Sequence, residues 1–278
     1  MKSNTNHQNR LRASSVITAF SLSTVLLSSV PAAHAQCVLP PTGVMVAWYP
    51  LEEGGFSADL ATRNNGTWSA PPPTPVGGKV GLALSFAGNN YVQSPDSILT
   101  NFGPAGTAPC AGADFSSCTG DFSIEAWVQF PYGSLPNQPE AIVDKRGPGP
   151  IGYSFYINDD RLGLQLADGT GPNGYDNYDS PDLRALRIGE GFHHVAVVVN
   201  RTSAIRWYLD GYLRGTTIPA HTSSLVNKAV LRIGANGPDN PGGFFNGYID
   251  EVSIYNRALT TAEVKAVYNA GSNGKCKP

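Results

Sequence analysis

Alternating hydrophobic and polar positions predict β-strands that turn one face toward a core. Between residues 122 and 130, a hydrophobic residue stands at every second position, with Ser123, Glu125, Trp127 and Gln129 between them. This period of two is typical of a strand. Residues 195–199 are apolar throughout, which indicates a central strand covered on both faces. Further strands are predicted at residues 44–51, 79–86, 91–93 and 229–234.

Two hairpins are predicted where β-forming runs flank a short polar link. Asn158-Asp159-Asp160 separates residues 153–157 from residues 161–166. Asp210-Gly211, which follows Trp207-Tyr208-Leu209, is the stronger signal, because glycine adopts the positive φ of such a turn at little cost.

One helix is predicted near the C-terminus. Thr260-Thr261-Ala262-Glu263 is a capping-box sequence, and Gly271 suits the end of the helix. The proline-rich residues 71–75 predict a stiff surface loop. Residues 99–120 and 167–190 are expected to form long loops, and loops of that length are often functional.

The first 35 residues have the pattern of a signal peptide. A basic start with Lys2, Arg10 and Arg12 precedes an apolar run, and Ala33-His34-Ala35 supplies small residues for cleavage before Gln36. A membrane anchor is the competing interpretation, but the run is rich in Ser and Thr. No later stretch approaches the ~20 apolar residues of a spanning helix. We therefore expect a secreted or periplasmic protein with one domain over residues 36–278 and no membrane insertion.

The composition fits a large all-β domain without a nucleic acid partner. The chain has 278 residues, with 31 Gly and 22 Pro for turns between short strands. Its net charge of −2 becomes more negative when the basic leader is removed. No basic stripe with interleaved aromatic residues is present, so binding to nucleic acid phosphates is not expected.

Four cysteines follow the leader, and an even number in an exported chain predicts disulfides. Three pairings are possible. We favour Cys37–Cys276, which would join the two ends of the domain, and Cys110–Cys118, which would close a Gly- and Ser-rich loop. No pair of His or Cys at zinc-finger spacing supports a metal site instead.

Several short motifs, in this order, resemble the laminin G-like, concanavalin A-type jelly roll. The resemblance covers most of residues 44–271 and implies an all-β sandwich of two antiparallel sheets with a short C-terminal helix. Its motifs are Trp48-Tyr49-Pro50-Leu51-Glu52-Glu53-Gly54, Asn64-Asn65-Gly66-Thr67, Gly81-Leu82-Ala83-Leu84-Ser85-Phe86, residues 122–128, His193-His194-Val195-Ala196, Tyr208-Leu209-Asp210-Gly211 and residues 249–259.

The resemblance implies a secreted, non-catalytic binding domain. The expected partner is a polysaccharide or glycoconjugate, bound in a calcium-dependent manner. An adhesion or interaction domain of the cell surface, with a surface protein as partner and no sugar ligand, is the alternative. A glycan-active enzyme is a third class, since fold alone does not settle function.

The family's calcium ion would lie at Asp59, Asn64 and Asp250. Calcium needs several oxygen ligands, and these residues combine carboxylates with a turn that can point carbonyls inward. In the alternative interpretation, Asp59 and Asn64 cap turns and Asp250 pairs with Arg257. The sequence departs from the family pattern at Arg63, whose cation would weaken metal binding.

No catalytic pair is apparent in the sequence. Glu125 stands alone on its strand face. Asp250 and Glu251 are adjacent, so we expect their side chains to point to opposite faces. His193 and His194 likewise diverge, and apolar neighbours favour structural roles.

The richest ligand-binding candidate is the segment between Asp168 and residue 182. It places Tyr175, Asp176 and Tyr178 among amides and carboxylates, and sugars are bound by aromatic stacking together with such polar groups. Phe244 is a second candidate. The alternative interpretation of the segment is a solvated, turn-rich loop.

Overall fold

The computed structural model describes residues 36–41, 43–52, 54–106, 120–130, 138–149, 151–159, 161–181, 191–237 and 240–278. Within them, sixteen strands form two antiparallel sheets of eight strands each, as expected of a jelly-roll sandwich. The leader, Cys110 and Cys118 lie outside the described residues, so the signal peptide and the Cys110–Cys118 pair stay predictions.

Sheet I has the strand order β14-β13-β12-β7-β16-β5-β4, and β1 pairs with β16. Its long central strands are those whose patterns were clearest in the sequence. The strands are β1 (Met45–Tyr49), β4 (Thr74–Gly77), β5 (Leu82–Ala87), β7 (Phe122–Gln129), β12 (His193–Asn200), β13 (Ala204–Leu209), β14 (Tyr212–Thr217) and β16 (Asn246–Tyr255).

Sheet II has the order β11-β10-β9-β8-β15-β6-β3-β2. Side chains that point inward from both sheets form one apolar core. The strands are β2 (Phe56–Ser57), β3 (Gly66–Trp68), β6 (Val92–Ser94), β8 (Glu140–Gly147), β9 (Ile151–Asn158), β10 (Arg161–Asp168), β11 (Tyr175–Asp179) and β15 (Leu231–Ile233).

Helix α1 (Thr261–Ala270) covers the outer face of sheet I. Its capping box is present, since the Thr260 hydroxyl accepts from the Glu263 amide and the Glu263 carboxylate accepts from the Thr260 amide. Val264 packs with Ala196 and Val198 of β12 in a second apolar cluster. The prediction that β12 is covered on both faces is therefore confirmed.

Two predicted loops contain strands. Thr74–Gly77 pairs with β5 at the edge of sheet I, where proline is tolerated because one side of the strand needs no ladder hydrogen bonds. Tyr175–Asp179 pairs with β10 at the edge of sheet II. Alternation along this second strand decides which of its side chains a ligand can reach.

A disulfide joins Cys37 to Cys276, with 4.9 Å between their Cα atoms. Beside it, the Val38 amide donates to the Gly274 carbonyl, and the Cys276 amide donates to the Val38 carbonyl. The two ends of the domain are thus fixed together. Among the described residues, no helix is long and apolar enough to cross a membrane.

Candidate functional site

Polar side chains form one cross-strand row on the outer face of sheet II. Strand register sets Arg232 opposite both Gln93 and Asp144. It also sets Gln165 opposite both Ser154 and Asn177. The row, one residue per strand from β3 to β11, is Thr67, Gln93, Arg232, Asp144, Ser154, Gln165 and Asn177.

The row faces away from the core because strand neighbours alternate in direction. Val143, Phe155 and Leu164, which adjoin row residues along β8, β9 and β10, belong to the apolar core. Thr67 and Asn177, at the two ends of the row, are exposed to solvent. The members between them are half-buried or buried, and strand pairing fixes their backbone on both sides: Gln93, Arg232, Asp144, Ser154 and Gln165.

Hydrogen bonds connect part of the row into a chain. Arg146 donates through Nε to Asp144 Oδ2 over 2.6 Å and through a terminal nitrogen to Gln165 Oε1 over 2.5 Å. Gln165 Nε2 then donates to Asn177 Oδ1 over 2.8 Å. Burial raises the pKa of Asp144 despite the opposing effect of Arg146. These contacts hold planar amide and guanidinium groups in fixed orientations.

A cavity of about 140 Å³ opens at this end of the row. Its aromatic surface comes from Tyr156, whose ring lies against Gly163: a Cβ there would meet the ring at 2.0 Å. Glycine is therefore required beneath this ring. The lining residues are Pro139, Arg146, Ser154, Tyr156, Gln165, Asn177 and Asn236.

A second cavity, of about 440 Å³, lies toward the other end of the row. Gln93 and Arg232 belong to both the row and this cavity. The Arg232 guanidinium also lies 5.5 Å from the centre of the Tyr91 ring, which in turn contacts Phe244 at 6.4 Å between ring centres. The predicted candidate Phe244 thus adjoins this face and is half-buried.

The other predicted ligand residues separate between the two sides of β11. Tyr175 is half-buried and, two positions from Asn177 along the strand, lies on the same outer face. Tyr178 belongs to the apolar core, and its hydroxyl accepts from the Ala220 amide over 2.9 Å. Its ring is therefore not presented for stacking, contrary to what an exposed loop would allow.

Asp176 contacts a histidine. Its Oδ2 lies 3.2 Å from His221 Nε2, while His221 Nδ1 lies 2.6 Å from Asp168 Oδ1. Hydrogen bonds from Thr170 and His221 outweigh burial and lower the pKa of Asp168 to about 2. Asp168 also accepts from the Ser223 amide. These contacts fix residues 220–223 to β10, so this cluster is an anchor for the chain.

The predicted calcium residues do not fit an ion in this arrangement. Asp59 Oδ1 accepts from the amides of Trp48 and Ala61, and Oδ2 accepts from Thr62 and the Asn64 amide. Asn64 itself donates to Ser94 and the Pro95 carbonyl. These are the turn-capping contacts of the alternative interpretation. Among the described residues, no group of three or more His, Cys, Asp or Glu side chains is placed to hold a metal.

Asp250 binds backbone amides, not Arg257. Its Oδ2 accepts from Lys79 and Val80 over 2.8 and 2.9 Å, whereas Arg257 pairs with Glu263. Burial raises the pKa of Asp250 to about 8, with the charge of Glu251 acting in the same direction. The amides of Lys79 and Val80 therefore occupy the Oδ2 atom of Asp250.

A β-bulge overturns the expectation that Asp250 and Glu251 point apart. The register with β7 shifts between Asp250 and Ser253, and Glu251 has a φ of 56°. Two residues therefore oppose one, and strict alternation ends. Asp250 reaches the β4–β5 connection, and Glu251 Oε2 accepts from Trp48 Nε1 over 2.9 Å.

Glu125 is not alone on its strand face. Its carboxylate lies 3.2 Å from His194 Nε2, accepts from the Tyr255 hydroxyl over 2.6 Å, and lies 3.5 Å from Lys275 Nζ. His194 and Glu125 are both about 1% exposed, so this network is buried. His193 pairs instead with Asp210.

Sequence reasoning missed most of the row because its members are not neighbours in the chain. Its residues range from Thr67 to Arg232, and only strand register brings them together. Asn177 lay within the segment that the sequence singled out. The remaining signal was the glycine at position 163 beside the aromatic residues of β9.

Comparisons with known proteins agree on the architecture. The model of the concanavalin A-like lectin/glucanase superfamily matches residues 86–265. No curated protein matches the chain significantly.

Solved structures of similar fold include binding domains of other proteins and one domain of an extracellular arabinanase. One is the binding domain of Paraclostridial Mosquitocidal Protein 1, with a TM-score of 0.61, 17% identity and coverage of 82% of this chain and 52% of that one. Another is domain 4 of AbnA, an extracellular arabinanase from Geobacillus stearothermophilus, solved with arabinotriose: TM-score 0.55, 20% identity, 80% of this chain and 96% of that one. A third is botulinum neurotoxin type C, whose cell entry depends on two ganglioside molecules, at a TM-score of 0.54, 13% identity and coverage of 82% and 51%. This chain therefore spans about half the length of the two toxin chains, and these identities show the fold alone.

Proposed function

Because the chain belongs to the concanavalin A-like lectin/glucanase superfamily, we propose that it is a non-catalytic carbohydrate-binding domain whose ligand lies on the outer face of sheet II. The cross-strand row beside the 140 Å³ cavity carries this proposal. Arg146, Gln165 and Asn177 present planar donors and acceptors, which suit the paired hydroxyls of a sugar. Tyr156 is largely buried, and the part of its ring that lines the cavity supplies the aromatic contact for a sugar ring.

The chemistry of the row favours binding over hydrolysis. Glycosidases use two carboxyl groups about 5–10 Å apart across the bond that breaks. The row contains one carboxylate, Asp144, and Arg146 is bonded to it. The buried pair of Glu125 and Glu251 shares Lys275 and lies under the C-terminal segment of the described chain. Neither arrangement offers a substrate an acid and a base.

Two further parts of the proposal come from the relatives and the leader. Domain 4 of AbnA was solved with a bound arabinose trisaccharide and is close to this chain in length, which supports an oligosaccharide as the ligand. The basic and apolar leader supports export, so polysaccharides or glycoconjugates outside the cell are the proposed partners. Calcium is not needed for the contacts proposed here.

A glycan panel tests the proposal. Wild-type protein is screened against neutral and acidic polysaccharides, together with Asn177→Ala and Gln165→Ala. We expect each variant to weaken binding by about 3- to 10-fold, the value of a hydrogen bond. Asn177 is exposed, so Asn177→Ala should leave the melting temperature unchanged. Asn269→Ala, an exposed position on α1, is the matched control and should bind normally. A panel without any bound glycan would reject the proposal and favour a surface protein as partner.

A further inference from the structure

The 440 Å³ cavity differs in charge from the rest of the row. We infer that it is an anion subsite that takes the carboxylate of an acidic sugar; this rests on the proposed function. Among the described residues that line the cavity, Lys228 and Arg232 are cationic and none is acidic. Gln93 and Asn227 add amide groups. Lysine and arginine both form charge-assisted hydrogen bonds with carboxylates.

Buried contacts hold the backbone on both sides of Lys228 in place before any ligand arrives. Lys145, whose side chain is fully buried, donates to Asp96 Oδ1 and to the Ala229 carbonyl, both over 2.8 Å. Asn227 Nδ2 donates to the carbonyls of Lys145 and Ile151. Residues 227 and 229 are therefore tied to β8 and β9 on either side of Lys228. A fixed wall of this kind lowers the entropy cost of binding.

The two cavities belong to one surface. Arg146 of β8 lines the smaller cavity, and the next residue, Gly147, lines the larger one. The row runs through both, with Gln165 and Asn177 at one cavity and Gln93 and Arg232 at the other. An oligosaccharide across this face would meet, at one end, amides beside an arginine that Asp144 neutralises. At the other end it would meet two cations, Lys228 and Arg232. That asymmetry selects a glycan with an acidic sugar in one unit.

The test uses one acidic polysaccharide of the panel before and after its carboxylates are reduced to alcohols. Lys228→Gln removes the exposed charge and Lys228→Glu reverses it. Both changes are made in the full-length protein and compared with wild type. Lys265→Glu, an exposed lysine of α1 on the other sheet, is the matched control. We expect wild type to prefer the acidic form by about tenfold, and Lys228→Glu to lose that preference while it binds the reduced form normally.

The outcomes separate the two claims. Equal binding of acidic and reduced polysaccharide by wild type would overturn the anion subsite and leave the carbohydrate proposal intact. Binding of neither form would reject the carbohydrate proposal. The subsite is then judged by NMR titration with free glucuronate, and glucose is the neutral control. Shifts confined to the amides of Asn227, Lys228 and Gly147 would support it, and their absence with glucuronate would overturn it.

Discussion

The ammonium group of Lys275 lies 3.0 Å from Oε2 of Glu251, and both side chains are almost fully buried. Although burial opposes its charged form, Glu125 and Glu251 raise the pKa of Lys275. The residue next to it, Cys276, is covalently joined to Cys37. The C-terminal segment therefore supplies the cation that two carboxylates of sheet I require.

Removal of that cation should destabilise the fold strongly. We expect Lys275→Met to lower the free energy of unfolding by about 3–5 kcal/mol, because Glu125 and Glu251 stay buried without the charge of Lys275. Urea denaturation measures the loss. Lys277→Met is the control, since Lys277 is partly exposed in its pair with Glu52 and such pairs contribute about 0–1 kcal/mol. Similar losses in the two variants would contradict this account.

The disulfide and Lys275 should act together. We expect Cys37→Ser with Cys276→Ser to cost about 2–5 kcal/mol. When Lys275→Met is added, the total should fall short of the sum, because both changes release the same segment. Unfolding free energies of the single, double and combined variants complete the cycle. Additive losses would show that the segment is held independently by each.

Asp250 should make stability fall as the pH rises. Its pKa is about 8 in the fold and about 3.9 in an unfolded chain. Below pH 4 both states are protonated and the stabilisation is complete. Between pH 4 and pH 8 the unfolded state releases this proton first, so folding loses free energy across that window. Asp250→Asn should flatten the melting temperature over pH 5–8; parallel curves for wild type and variant would contradict it.

Removal of calcium tests whether the folded chain binds the ion that the family resemblance implies. Asp59 is occupied by backbone and hydroxyl donors, so we expect the same melting temperature with chelator as with added calcium. An ion bound to the folded state at 100 times its dissociation constant would instead add about 2.7 kcal/mol. A clear fall in chelator, reversed by calcium but not magnesium, would restore the calcium site that the family resemblance implies.

The sequence revealed the strands whose patterns follow from the core. Phe122, Ile124 and Val128 alternate regularly, and they pack between the sheets. It did not reveal β8, where Asp144, Lys145 and Arg146 are consecutive charged residues. Asp96 and the Ala229 carbonyl, both distant in the chain, are the partners of the buried Lys145 ammonium group. No local pattern records a partner of that kind.

The site was less accessible to sequence reasoning than the fold. Tyr175 and Asp176 were singled out together, but strand pairing turned them to different sides of sheet II. The bulge at Glu251 needs a positive φ in a residue that is not glycine, and no preference of glutamate predicts this. Pairing between distant strands decides both outcomes.

The row from Thr67 to Asn177 has a consequence for evolution. Each of its members stands on a different strand, spaced about 4.8 Å from the next, while their inward neighbours Val143, Phe155 and Leu164 belong to the apolar core. Single substitutions in the row can thus change ligand preference one strand at a time. Descendants of this chain can bind new sugars while the apolar core stays the same.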